Sequence, residues 1–172
     1  LRWKDKVGPL VTKEVARLKT STVGAEAVAR LSLRVLYEIL FGEEIAPADE
    51  TLFYRASVEW RKEIAVKGRG DTALKAEFFQ RLRAVIAASP YQDGLNEHAA
   101  DPGIWLSVFG QPFIISPQIN ISDIMVAVFD FLRQEPGLYA HAREKALSGD
   151  DKYLGSLLME SLRLRHPFPV LE

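Results

Sequence analysis

Apolar positions recur at helical spacing along almost the whole chain. Residues 9–19 gather Leu10, Val11, Val15 and Leu18 on one side, with Lys13, Glu14 and Arg17 opposite. Residues 25–41 (AEAVARLSLRVLYEILF) are apolar over most of the helix circumference. That pattern predicts a central core helix, and Gly42 predicts its stop. Residues 50–66 read as a weaker, charged helix, broken by Gly68-Arg69-Gly70. Asp71 predicts an N-cap for a helix through about Ala88, with Leu74, Phe78, Phe79, Leu82, Val85 and Ile86 on its apolar side.

Residues 89–103 (SPYQDGLNEHAADPG) are rich in turn formers. Both flanks are helical and alike in composition, so this stretch reads as a loop or short helix rather than a domain boundary. Residues 104–135 are the most apolar part, interrupted by Gly110, Pro112 and Pro117. Ser116-Pro117 suits an N-cap and first turn, while Pro117 inside a longer helix would kink it. A broken or kinked helix is the favoured reading. Pro136-Gly137 opens a short helix to about Ala146, residues 148–151 make a turn, and a last helix runs from about Lys152 to Arg165. It ends at His166-Pro167. Hairpin signals and repeats of 20–50 residues are absent. The expected class is all-α, a multi-helix array.

The 172 residues, 48% hydrophobic and 26% charged, suit a single helical domain spanning 1–172 or a fragment of a larger protein. A net charge of -1 implies no general field for nucleic acid or an anionic membrane. The lack of cysteine excludes a disulfide framework, a thiol nucleophile and an axial thiolate within these residues. No apolar run reaches the roughly 18–20 residues of a membrane span, and the start has no signal-peptide pattern. A cytoplasmic location is the expectation, with any membrane anchor outside this window. The chain begins without Met and stops after Phe168-Pro169-Val170-Leu171, which reads as a piece of something longer.

Most familiar chemistry finds no footing. Phosphate-binding glycine loops are absent, and no nucleophile elbow surrounds Gly110. His98, His141 and His166 lack metal-ligand spacing, so no metal site is expected from protein side chains. Glu97-His98 with Asp101 reads as exposed loop polarity, and His141 as part of a solvated helix face. Two E-x-x-R pairs occur. Glu14 with Arg17 reads as a surface pair of little worth. Glu160 with Arg163 stands in a different context, because Leu164 follows at once and His166-Pro167-Phe168-Pro169 forces an extended exit from the helix.

The run Glu160-Ser161-Leu162-Arg163-Leu164-Arg165-His166-Pro167-Phe168-Pro169 resembles the K-helix motif of the cytochrome P-450 family of heme-thiolate enzymes. The resemblance implies that Glu160 and Arg163 are structural. In that family the Glu and Arg join a later arginine in a buried ion network, and here that arginine would lie beyond Glu172. Pro136 opens E-P-G-L-Y-A-H-A-R-E, similar to the family's J-helix opening. Counting back places the I-helix oxygen-activation motif on residues 116–121, with Ile119 at the usual acid and Asn120 at the usual Thr. An Asn cannot relay protons as Thr and an acid do, though its amide can hydrogen-bond. Q-I-N-I is similar to the run in prostacyclin synthase-like members, which rearrange a peroxide in the substrate. Some monooxygenase members also carry Asn here, so oxidation and peroxide rearrangement both stay open.

Leu40-Phe41-Gly42 resembles the family's E-helix ending, and the helix order suits a stretch from about the D helix to the K helix. The resemblance therefore implies the helical core of such an enzyme, cut before its heme-binding Cys loop. The parent would hold heme b and a hydrophobic small-molecule substrate, and could meet a redox partner protein. Phe113, Ser116 and Asn120 would face heme or substrate, with Asn120 as the catalytic polar handle; plain helix packing is the alternative for all three. A non-enzymatic helical interaction domain is the competing reading, and a helical small-molecule sensor with an apolar pocket near Phe78, Phe79 and Trp105 is a third. Burial of Glu160 and Arg163 separates the first two: a heme fold buries them, and a binding module leaves them exposed.

Overall fold

The computed structural model describes residues 3–18, 24–66, 70–97, 102–115 and 121–164. The chain is all-α. Its helices are α1 (Trp3–Arg17), α2 (Ala25–Phe41), α3 (Pro47–Val66), α4 (Thr72–Ala87), α5 (Gln92–Glu97), α6 (Pro102–Ile115), α7 (Ile124–Gln134), α8 (Pro136–Ser148) and α9 (Asp151–Leu164). They form two compact units, Leu1–Ile121 and Ser122–Glu172. The turn-rich stretch after α4 holds the short helix α5 inside the first unit.

The helix ends follow local chemistry. Gly42 adopts φ 76° and returns its N–H to the Glu38 carbonyl at 2.9 Å, a left-handed C-cap that glycine accepts without strain. Asp71 Oδ1 accepts the Leu74 N–H at 2.9 Å, capping α4 as its sequence predicts. Pro136 stands in the first turn of α8, and Gly149 at φ 73° ends it. Helix α1 starts six residues before the predicted 9–19 segment and runs across Pro9, which removes one backbone donor without stopping the helix.

The first unit closes on an aromatic core. Leu33 and Tyr37 of α2, Phe53 and Ala56 of α3, Phe78, Leu82, Val85 and Ile86 of α4, and Phe109 and Phe113 of α6 are buried together. The rings meet edge-on or tilted: Phe53 lies 4.8 Å from Phe78 and 5.3 Å from Phe113, and Trp60 lies 5.6 Å from Phe78. Gly110 lets α6 approach α4 closely, since a β-carbon there would stand 3.2 Å from the Phe79 ring. The centrality expected of α2 holds: Leu33 and Tyr37 sit in the cluster, and Leu36, Leu40 and Phe41 pack against it.

The apolar stripe predicted for α1 is split, with Leu10 and Leu18 half-buried. Val11 and Val15 are 37% and 53% exposed, while Glu14 is 2% exposed. The reading of Glu14 with Arg17 as a surface pair is therefore overturned. Arg17 does bind Glu14 at 2.7 Å, but Arg34 of α2 holds the other carboxylate oxygen at 2.5 Å. Arg34 in turn binds Glu50 of α3. A three-residue spacing reveals Arg17; Arg34, twenty residues on, is supplied by packing.

The second unit packs α7, α8 and α9 against one another. Its buried apolar residues among those described are Leu132 and Ala142, with Ser122 and Ser161 buried beside them. Val126, Phe129, Tyr139, Leu147, Met159 and Leu164 remain exposed by 43–76%. An open apolar hollow of about 430 Å³ is lined by Phe129, Leu132, Arg133, Pro136 and Tyr139.

Candidate functional site

The candidate residues fall in three places. Phe113 stands near the end of α6 and is fully buried. Its ring lies 5.3 Å from Phe53, 6.0 Å from Phe41 and 6.1 Å from Tyr37. All of its surface is taken up by packing within the first unit. Ser116, Pro117 and Asn120 lie outside the described residues, as do His98 and His166. Helix α6 runs to Ile115, and residues 121–123 are π-helical before α7. Such wide turns are rare and frequently accompany functional sites. The break or kink expected at Pro117 lies outside the described residues.

Glu160 and Arg163 stand on α9, one turn apart. The Arg163 guanidinium donates Nε–H to Glu160 Oε2 at 2.8 Å and Nη2–H to Oε1 at 2.6 Å, a two-pronged fork. The fork holds the Glu160 carboxyl below its ordinary range and raises Arg163, each mainly through that hydrogen bonding. The side chains are 49% and 66% exposed. Between them Ser161 faces inward, fully buried, and donates its hydroxyl to the Leu157 carbonyl at 2.8 Å. Helix α9 therefore turns its serine to the unit's interior and presents the ion pair outward.

The apolar pocket imagined near Phe78, Phe79 and Trp105 is filled where it is described. Phe78 is fully buried, and its ring lies within 6 Å of those of Phe53, Trp60 and Phe79. Among the described residues no group of His, Asp and Glu could hold a metal ion. His141 lies half-exposed on α8, its Nδ1 3.7 Å from Glu144 and its ring edge-on to Tyr153 at 4.9 Å, the solvated helix face expected. No helix among the described residues is long and apolar enough to cross a membrane.

The principal charged cluster was not legible as such. Glu14, Arg17, Arg34, Glu38, Glu44 and Glu50 surround a cleft of about 390 Å³. Lys13 reaches Glu38 at 2.7 Å and Glu44 at 2.8 Å. Hydrogen bonds from Lys13 and then Arg17 hold the Glu44 carboxyl below its ordinary range. Arg30 binds Glu26 and Glu50 and stacks 4.2 Å from the centre of the Tyr54 ring. Each carboxylate of the cluster has a cationic neighbour, so the arrangement suits holding helices together better than acid–base chemistry. Only the E-x-x-R at Glu14 signalled it in advance.

Comparison of the chain with protein-family models, with curated proteins and with solved structures gives no match.

Proposed function

We propose that this chain is the central helical part of a cytochrome P-450-like heme enzyme that acts on a hydrophobic substrate. The reaction is either oxidation or rearrangement of a peroxide carried by the substrate. The observation that carries this reading is the run from Glu160 to Pro169 in the sequence, with Glu160 and Arg163 paired on α9. The fork is preformed, and its outer edges remain open to a further arginine from elsewhere in the parent protein. The second unit lends support, because among its described residues only Leu132 and Ala142 are buried apolar side chains, and Phe129, Tyr139 and Met159 remain exposed.

Heme b would be the cofactor, supplying the redox chemistry of the iron. The chain holds no cysteine, so a thiolate ligand would come from outside these 172 residues. Asn120 would be the polar handle toward the bound substrate, with Ser116 four residues before it in the sequence. A redox partner protein would be needed for oxidation and unnecessary for peroxide rearrangement.

The competing reading is a non-enzymatic helical interaction or small-molecule-binding domain. The exposure of Glu160 and Arg163 favours it, since that is the state expected of the pair in such a module. One experiment separates the two: an absorption spectrum of the full-length protein carrying this chain, reduced and exposed to carbon monoxide. The heme reading expects the red-shifted thiolate–carbonyl band, and loss of that band in Glu160→Ala. A folded, helical protein with no heme band would sink it and leave the interaction domain.

A further inference from the structure

Helix α1 carries a network of ion pairs on the face it turns to its unit, beside the half-buried Val7 and Leu10. Among the described residues, the aromatic core cluster draws on α2, α3, α4 and α6 and on Ile45, with no member from α1. Glu14 is the α1 side chain most deeply buried among those described, while Val11 and Val15 face outward. Lys13 reaches Glu38 and Glu44, Arg17 reaches Glu44 at 3.0 Å, and Arg34 reaches back to Glu14. On the receiving side Glu50 of α3 accepts from Arg34 at 3.0 Å and from Arg30 at 3.3 Å.

We propose that α1 is an ion-latched strap, which lifts from α2 as one element and leaves the aromatic core folded. The physical reason is a separation of forces. Burying ion pairs costs desolvation that is recovered only while each partner is in place. When α1 lifts, Glu14, Lys13, Arg17 and Arg34 regain water, so the open state recovers much of what the latch supplied. Among the described residues, the rings of α2, α3, α4 and α6 lose nothing in that step, because no described α1 side chain belongs to their cluster. Segments of this kind open below the global unfolding limit. The open state bares the charged face formed by Arg34, Glu38, Glu44 and Glu50. The strap belongs to the first unit and is independent of whether heme is bound.

The test is native-state hydrogen exchange on the full-length protein, read peptide by peptide. Amides of residues 5–17 are expected to exchange about tenfold or more faster than those of α2 and α4. Arg34→Met, which strips Glu14 of one partner, is expected to speed α1 by about a further tenfold while α4 is unchanged. Glu14→Leu combined with Arg34→Met removes both buried charges and restores protection toward the unaltered level. The proposal is overturned if α1 in the unaltered protein is as protected as α4, or if Arg34→Met speeds α1, α2 and α4 alike. Should Arg34→Met fail to fold, the milder Lys13→Met serves in its place, with acceleration expected in α1 alone.

Discussion

Phe113→Ala asks whether this ring is packing or ligand surface. The side chain is fully buried and meets three rings, those of Phe53, Phe41 and Tyr37, at 5.3–6.1 Å between centres. Truncating a buried Phe to Ala costs about 3–5 kcal/mol, and ring pairs add roughly 0.5–1.5 kcal/mol each beyond area burial. A loss of about 4 kcal/mol is the expectation. For a unit of roughly 120 residues, unfolding entropy of about 2.1 cal/mol/K per residue converts this to a fall of about 16 °C in Tm. In urea the midpoint moves down by about 2 M for an m-value near 2 kcal/mol/M. The assay is urea unfolding followed by far-UV circular dichroism, with Phe113→Leu and Phe129→Ala alongside. Phe113→Leu keeps most of the volume and should cost about 1–1.5 kcal/mol. Phe129 is half-exposed in the second unit, and its truncation should leave the first unit's transition in place. A loss below about 1 kcal/mol for Phe113→Ala would refute the packing argument, because a ring lining an open ligand site is cheap to remove.

Other outcomes follow from single contacts. Gly42→Ala forces a β-carbon into φ 76° and should cost about 1 kcal/mol, with Gly42→Asn costing less, as thermal unfolding can check. Asp71→Ala removes the acceptor for the Leu74 N–H and should cost about 1 kcal/mol, with Asp71→Ser restoring most of it. Glu63 is held below its ordinary value of 4.5 first by Lys75 and then by the Gly70 N–H. A depressed folded-state pKa contributes stability that is present above the unfolded value and lost as pH falls through the folded one. Stability should therefore decline on acidification below about pH 4.5, and Lys75→Met should raise the Glu63 pKa measured by NMR titration.

The two E-x-x-R pairs mark where sequence reasoning reached its limit. Read locally, Glu14 with Arg17 is a surface pair, and only the family resemblance implies a buried network for Glu160 with Arg163. In the structure Glu14 is buried under two arginines, and the Glu160–Arg163 fork is half open to solvent. Spacing along a helix settles which side chains are neighbours, but burial of a charge depends on what another helix brings against it. For Glu14 that partner is Arg34, and for Arg34 it is also Glu50.

What the sequence by itself determined is the set of helices and most of their ends. The 25–41 segment, its Gly42 stop, the Asp71 cap and the Pro136 start all depend on backbone hydrogen bonding and φ preferences that act over a few residues. It also determined the apolar faces of α2 and α4, whose pattern agrees with their burial. Tertiary structure alone decided that Glu14 of α1 is buried and that the chain parts into two units after Ile121. It also decided that Phe113 belongs to an aromatic core. Those outcomes are sums over partners distant in the chain, where Arg34 of α2 draws Glu14 inward while Val11 and Val15 stay exposed.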